Sequence, residues 1–272
     1  MKRILCTLLC AAMILSVSFA FTACKKSNDK LVCGVTIFEP MNFKENGDWV
    51  GFDTEFARAV GAKLGMDVEF VEIQWSQKYL ELESGAITCI WNGLTANTTE
   101  TINDVEKNRS DWYDFSYSYM LNRQCVVVKA DRVSEFLTVA DLADKRVTAE
   151  AGSAGDSAAA QVIGEGGSFL GADSQISTFL EVMAGASDCA VVDYLLAEQL
   201  IGSGDYAGLA IAAIEFVGAE TEVYAIGFKK GSALRDRVNA AILELEAEGK
   251  LREIAEKYKI AGSLKVDSSF KN

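Results

Sequence analysis

Ala86–Thr95, AITCIWNGLT, decides how the rest of the chain is read. The apolar run Ile87-Thr88-Cys89-Ile90-Trp91 stops at Asn92-Gly93, the pattern of a short buried strand ending in a turn. In open α/β sheets, ligands bind just beyond the carboxyl ends of such strands. Asn92, Gly93 and Thr95 are therefore placed to offer a carbonyl, an N–H and a hydroxyl to something small. Ordinary turn chemistry accounts for the same residues equally well.

Upstream, Leu31–Ile37 reads as a first strand and Phe38–Asn42 as a loop holding Pro40, the only proline. Asn46-Gly47-Asp48 is a turn signal. Asp53 is placed to cap a helix whose apolar residues Phe56, Ala59, Val60 and Leu64 recur at helical spacing, with Gly65 closing it. Val68–Ile73 alternates as a second strand, Trp75 lies past its end, and Tyr79–Glu83 starts another helix. This β-α-β-α-β order predicts a parallel sheet wrapped by helices. Downstream, Thr95–Asn108 is polar and aperiodic, so a loop or short surface helix is expected. A second α/β unit follows, with strands at Cys125–Lys129, Arg146–Ala149, Cys189–Val192 and Glu222–Phe228. Gly152–Ser157 turns into a helix at Ala158–Ile163, Tyr194–Leu200 is helical, and Ala233–Ile260 holds one or two helices interrupted at Gly249. The segment DCAVVD echoes TCIWNG, as two similar α/β lobes would.

The chain has 272 residues, half of them hydrophobic, ample for a packed core. Its net charge is −13 with no basic run beyond the amino terminus, which argues against a nucleic-acid partner. It contains no histidine, which excludes Ser–His and Cys–His nucleophiles and His-ligated metal sites. No cofactor is expected. Lys2-Arg3 followed by apolar Ile4–Phe21 is a secretory signal pattern; a retained membrane helix is the alternative. Cys33, Cys89, Cys125 and Cys189 sit in apolar runs without CxxC spacing. They read as small buried side chains, although an exported chain also permits a disulfide between neighbouring strands.

The segments FEPMNF, GDWVGFDTEFARAVGAKLGMDVEFVEIQW, LESGAITCIWNGLT, FSYSYM, VVVKA, DLADKRV, GSAGDSAA, SDCAVVD, AIGFKKGSALRDRVN and GKLREIAEKY occur in this order. Their sequence resembles the polar-amino-acid solute-binding proteins of ABC importers, family 3 of the bacterial extracellular solute-binding proteins. The resemblance implies a type II periplasmic-binding-protein-like α/β fold, two lobes joined by two hinge strands and closing on one amino acid. Residues 30–124 and 226–272 would form lobe one, 131–221 lobe two, and 125–130 and 222–228 the hinge strands. Phe21-Thr22-Ala23-Cys24 resembles a lipobox, with Phe21 in place of the usual Leu. It implies a signal peptide over 1–23, a lipidated Cys24, a tether over 24–30 and a monomer held to the outer face of the cell membrane, with a periplasmic location as the alternative. The implied partners are a free amino acid or close analogue, a permease and its ATPase.

A closed cleft must satisfy both poles of a free amino acid, because burying either charge unpaired costs several kcal/mol. Asp193, ending a buried strand, suits the ammonium; it equally suits the N-cap of the following helix. The resemblance favours the ligand role, with Asn92 and Gly93 adding a carbonyl and Thr95 a hydroxyl. For the carboxylate, Thr99 and Glu100 stand where the family's arginine falls without a gap. Arg109 takes that place if Thr98–Asn108 is an insertion, and Arg123 is the weaker substitute. Ser153 and Ala154, opening a helix, would add backbone N–H groups; Ala154 replaces a hydroxyl residue there, and Ser153 also suits a cap. Phe38, Glu39 and Trp75 would line the side-chain pocket, and Trp91 reads as core. Binding without covalent chemistry is expected. A dehydratase-like enzyme using Glu39 and Asp193 as acid and base, and a sensor without transport, are the alternatives.

Overall fold

The computed structural model describes residues 30–216 and 221–270. The expected signal segment, the lipidation site Cys24 and the tether before Lys30 lie outside the described residues. Two five-stranded sheets organise the chain. The first has the order Asp67–Glu72, Lys30–Val35, Cys89–Ile90, Gly227–Phe228, Asp114–Phe115. The second has the order Ser168–Ala172, Arg146–Glu150, Cys189–Asp193, Gln124–Lys129, Leu209–Ile211. In each, the fourth strand runs against the other four. The mainly parallel sheet thus occurs twice, and the echoing runs TCIW and DCAVV supply the central strand of each.

Between these sheets, Ser118–Asn122 pairs antiparallel with Glu222–Tyr224 on one side and with Leu264–Asp267 on the other. This places the outgoing crossing earlier than the 125–130 expected. Gln124–Lys129 is fully integrated into the second sheet, bonded to strands on both sides. The expected return strand over 222–228 is divided: Glu222–Tyr224 belongs to the linking sheet and Gly227–Phe228 to the first. The edge strands Ser168–Ala172 and Leu209–Ile211 have no sequence counterpart above, because they are short and lack strict alternation.

Helix Phe52–Leu64 buries Phe52, Phe56, Ala57 and Val60 and ends at Gly65 with φ of 66°. Gly51, not Asp53, occupies its N-cap; Asp53 lies inside the first turn and is wholly buried. Phe56 meets Trp91 edge-on at 5.0 Å and Tyr119 at 5.3 Å, so Trp91 is core, as its sequence suggests. The polar stretch expected to be a loop or surface helix is a hairpin, Thr99–Ile102 with Val105–Asn108. Its two turn residues, Asn103 and Asp104, both take positive φ, the geometry that favours Asn and Asp in two-residue hairpin turns. Cys33 and Cys89 face each other across neighbouring strands with sulfurs 3.7 Å apart, and all four described cysteines are free thiols. No helix among the described residues is long and apolar enough to cross a membrane.

Truncating Phe56 empties the junction of the Phe52–Leu64 helix with Trp91 and Tyr119. Phe56→Ala should lower unfolding stability by about 3–5 kcal/mol, read from the denaturant midpoint.

Candidate functional site

The carboxyl ends of both central strands point into one narrow cleft. Phe38, Trp75, Asn92, Gly93, Thr95 and Arg109 line it from the first lobe. Glu150, Ser153, Ala154, Gln175 and Asp193 line it from the second. The space enclosed is about 10 Å³, room for roughly one water, so the walls must part to admit any organic solute. Nine of the ten residues singled out in the sequence meet here. Glu39 does not: it is half-buried outside the lining, its carboxyl pushed up by that burial and by Glu45.

Proximity is not availability, and several side chains are already engaged. The Asn92 amide accepts from Thr36 N at 2.8 Å and Asn42 Nδ2 at 2.9 Å, and donates to Thr36 Oγ1 at 2.7 Å. The Gly93 N–H donates to the Asp53 carboxylate at 2.7 Å. Its φ is 56°, and a Cβ there would lie 2.5 Å from Phe38 and 3.0 Å from Tyr224. Asp53 and Asn92 therefore shape the turn, and the N–H expected to meet a solute is spent. Ser153 Oγ accepts from Asp156 N at 3.1 Å and caps the helix Ala154–Val162, while its N–H donates to Glu150 O at 3.0 Å. The Arg123 guanidinium stacks 3.7 Å over the Tyr194 ring, outside the lining.

Arg109 is almost wholly buried on the short helix Arg109–Trp112. Its Nε donates to Glu100 Oε2 at 3.0 Å, Nη1 to Thr95 O at 2.7 Å and Nη2 to Gly152 O at 2.9 Å. A guanidinium carries five N–H groups, so one on each terminal nitrogen remains beyond these contacts. Across the cleft, Asp193 stands at the N-cap position of Tyr194–Leu200 but makes no side-chain capping bond. Its carboxylate instead accepts amide donors from Asn122, Gln124 and Gln175. Asn122 and Gln124 also donate to Glu222, at 2.8 and 3.0 Å.

The sequence reading missed Glu150, Glu222, Gln175, Lys78 and the role of Glu100. Glu150 was legible: it ends strand Arg146–Glu150 as Asp193 ends the strand beside it. Burial, then the charge of Asp193, pushes Glu150 up to about 8, against the downward pull of Lys78 and Arg109. Burial and Asp193 likewise raise Glu222 to about 7. Asp193 itself is raised by burial, opposed by its amide donors. Burial lowers Lys78 to about 8 although Glu100 pulls it up. Burial also pushes Glu100 up, but Arg109 and Lys78 more than offset it and hold the carboxyl below its usual range. Among the described residues no cluster of His, Cys, Asp or Glu is arranged to hold a metal.

Two α/β lobes, a linking sheet and a charged cleft between strand ends define a two-lobed solute receptor. The chain belongs to the bacterial extracellular solute-binding proteins, family 3, whose sequence profile matches residues 31–261. It is 28% identical over 251 residues to the arginine-binding extracellular protein ArtP of Bacillus subtilis, covering 89% of this chain and 93% of ArtP. The crystal structure of AbpA, an amino acid ABC transporter substrate-binding protein of Streptococcus pneumoniae bound to L-arginine, superposes with a TM-score of 0.75. It shares 25% identity and covers 88% of this chain and 98% of that one. An ancestral amino-acid-binding protein, AncCDT-1, described as a precursor of cyclohexadienyl dehydratase, superposes at 0.71 with 25% identity, covering 84% of this chain and 95% of that one.

The raised acids set a pH dependence. Asp53, lifted to about 7 by burial, joins Glu222 and Glu150 in holding a proton in the folded state that the unfolded chain releases near pH 4. The folded state then binds more protons across that window, so stability falls as pH rises. The melting temperature of the ligand-free protein should drop between pH 5 and pH 8. Glu150→Gln should shrink that drop and raise the pH 8 value.

Proposed function

We propose that the protein captures a free amino acid with a cationic side chain outside the cytoplasm and delivers it to an ABC permease driven by a cytoplasmic ATPase. The observation that carries this reading is the charge on the two cleft walls. Arg109 retains two N–H groups for a carboxylate, and the N-terminus of the helix Ala154–Val162 adds its partial positive charge. Asp193 takes the ammonium beside the amides that already hold it. Asn92 and Gly93 serve through the turn they form and its carbonyls, and Thr95 through its hydroxyl. Glu150 is then the second acid for one ligand, buried at the second lobe's strand end and lining the same cavity as Phe38 and Trp75. With a neutral side chain Glu150 keeps its proton and contributes no ion pair. A cationic side chain lets it ionise and adds a charge-assisted hydrogen bond of roughly 1.5–3 kcal/mol. The arginine named for ArtP and AbpA supports the same choice.

The protein acts on this reading as a binder and not an enzyme. Three amide donors converge on the Asp193 carboxyl, which suits a resting ammonium better than proton shuttling. The two lobes close about the linking sheet, and contacts made only in the closed form drive the shift. Residues 1–23 are a signal peptide, Cys24 carries the lipid, residues 24–30 form the tether, and the protein works as a monomer at the membrane surface. Cys24→Ser should move the protein from the membrane fraction to the medium.

Calorimetric titration with the twenty amino acids should find arginine, lysine or ornithine as the tightest ligand. Arg109→Ala and Asp193→Ala should each weaken binding about ten-fold or more. Glu150→Gln should lose the preference for cationic over neutral ligands by a similar factor. A cation must also displace the proton held on Glu150, whose pKa is raised to about 8. Binding near pH 7 should therefore release a proton, measured by titrating in buffers of different ionisation enthalpy, and Glu150→Gln should abolish the release. No binding by any amino acid to a ligand-free preparation would overturn the reading.

A further inference from the structure

The hairpin Thr99–Asn108 does more than lengthen a loop. It carries Glu100 into a buried position between Lys78 and Arg109, all three on the first lobe. One Glu100 oxygen accepts from Lys78 Nζ and the other from Arg109 Nε. Both cations then reach across the cleft to a single atom. Lys78 Nζ donates to Gly152 O at 3.0 Å, and Arg109 Nη2 donates to the same oxygen at 2.9 Å. The hairpin makes a third crossing itself, where Ser157 Oγ donates to Thr99 O at 3.3 Å. Gly152 has a φ of 73°, and a Cβ there would come within 3.4 Å of Lys78 Nζ. The second lobe's turn is thus bent through the left-handed region where its carbonyl meets two charged donors.

We propose that Lys78, Glu100 and Arg109 form a clasp that closes the cleft onto Gly152 O before any solute arrives, with Glu100 the positioning residue that keeps the two cations in register. None of these bonds needs a ligand. When the lobes part, Glu100 stays with its cations and only Gly152 and Ser157 leave. Opening therefore breaks two charge-assisted bonds and one neutral bond, while the trio stays assembled for the next closure. Without the Glu100 carboxylate, two buried cations would be forced together against their mutual repulsion, and closure would be penalised. The trio carries one excess positive charge. A partly closed resting state slows the escape of a bound solute and lowers the fraction of molecules able to accept one. The clasp rests on the proposed function only in that Arg109 is assigned both tasks.

The test is made without ligand, so failure of an amino-acid screen leaves it intact. Spin labels at Glu45→Cys on the first lobe and Leu137→Cys on the second, in the mature chain with Cys24→Ser, report the separation of two exposed sites. The four described native cysteines are buried and should stay unlabelled. The unsubstituted clasp should show a short-distance population in pulsed electron paramagnetic resonance. Lys78→Met and Glu100→Gln should each lower the closed-to-open ratio by roughly ten-fold. Lys78→Arg should restore most of the closed population, which a mere loss of folding stability would not predict. A single long distance with the clasp intact would overturn the proposal, and so would distributions unchanged in both variants. If Glu100→Gln fails to fold by circular dichroism, Lys78→Met decides, since it leaves a balanced Glu100–Arg109 pair. The distribution with the clasp intact decides even if neither variant folds.

Discussion

A buried guanidinium must find acceptors for its N–H groups, and the architecture of this cleft follows from how Arg109 finds them. Its three protein acceptors come from three places: a carboxylate on a hairpin, a carbonyl following the first lobe's central strand, and a carbonyl on the second lobe. The charge therefore cannot be satisfied by one lobe alone when the walls meet. Removing any one acceptor would leave a desolvated donor, which costs more than a typical hydrogen bond contributes. Lys78 repeats the arrangement with two of the same partners.

Asp193 plays the corresponding part for negative charge, and it ties the cleft to the linking sheet. Asn122 closes the strand Ser118–Asn122 and Gln124 opens the strand after it. Each shares its amide between Asp193 and Glu222. Two amides where the chain passes between lobes thus join the Asp193 carboxylate to that of Glu222. The second acid of that network, Glu222, lies at the start of the returning strand. Both crossings thus carry members of one amide–carboxylate network.

Much of the fold was legible because its signals are local. Gly65, Gly85 and Gly185 end helices in the left-handed conformation that their positions announce. The apolar runs around Cys33, Cys89, Cys125 and Cys189 are the buried strands that their composition suggests. The hairpin at Thr99–Asn108 was missed because its exposed strand faces offer no apolar alternation, although Asn103-Asp104 is a sound hairpin turn. Residue placement around the cleft was legible from strand ends, for Asn92 and Asp193 alike. What each side chain does there was not, because it depends on partners distant in sequence. Asp53 looked like a helix cap but binds Gly93, and Asn92 looked exposed but braces Thr36 and Asn42. Lys78 and Glu100 gave no signal, since a lysine and a glutamate in polar stretches are ordinarily solvated.

The described chain starts and finishes on the first lobe. Lys30 opens a strand of the first sheet, and near the other end Phe270 packs against Phe115 of that sheet. A tether at either terminus would therefore hold the first lobe and leave the lobe of Glu150 and Asp193 untethered. A fluorescent domain appended at either end would ride with the stationary half and register little of the motion. A biosensor built on this scaffold needs its reporter spliced into a surface loop of the moving half, such as the turn between Gly202 and Gly208.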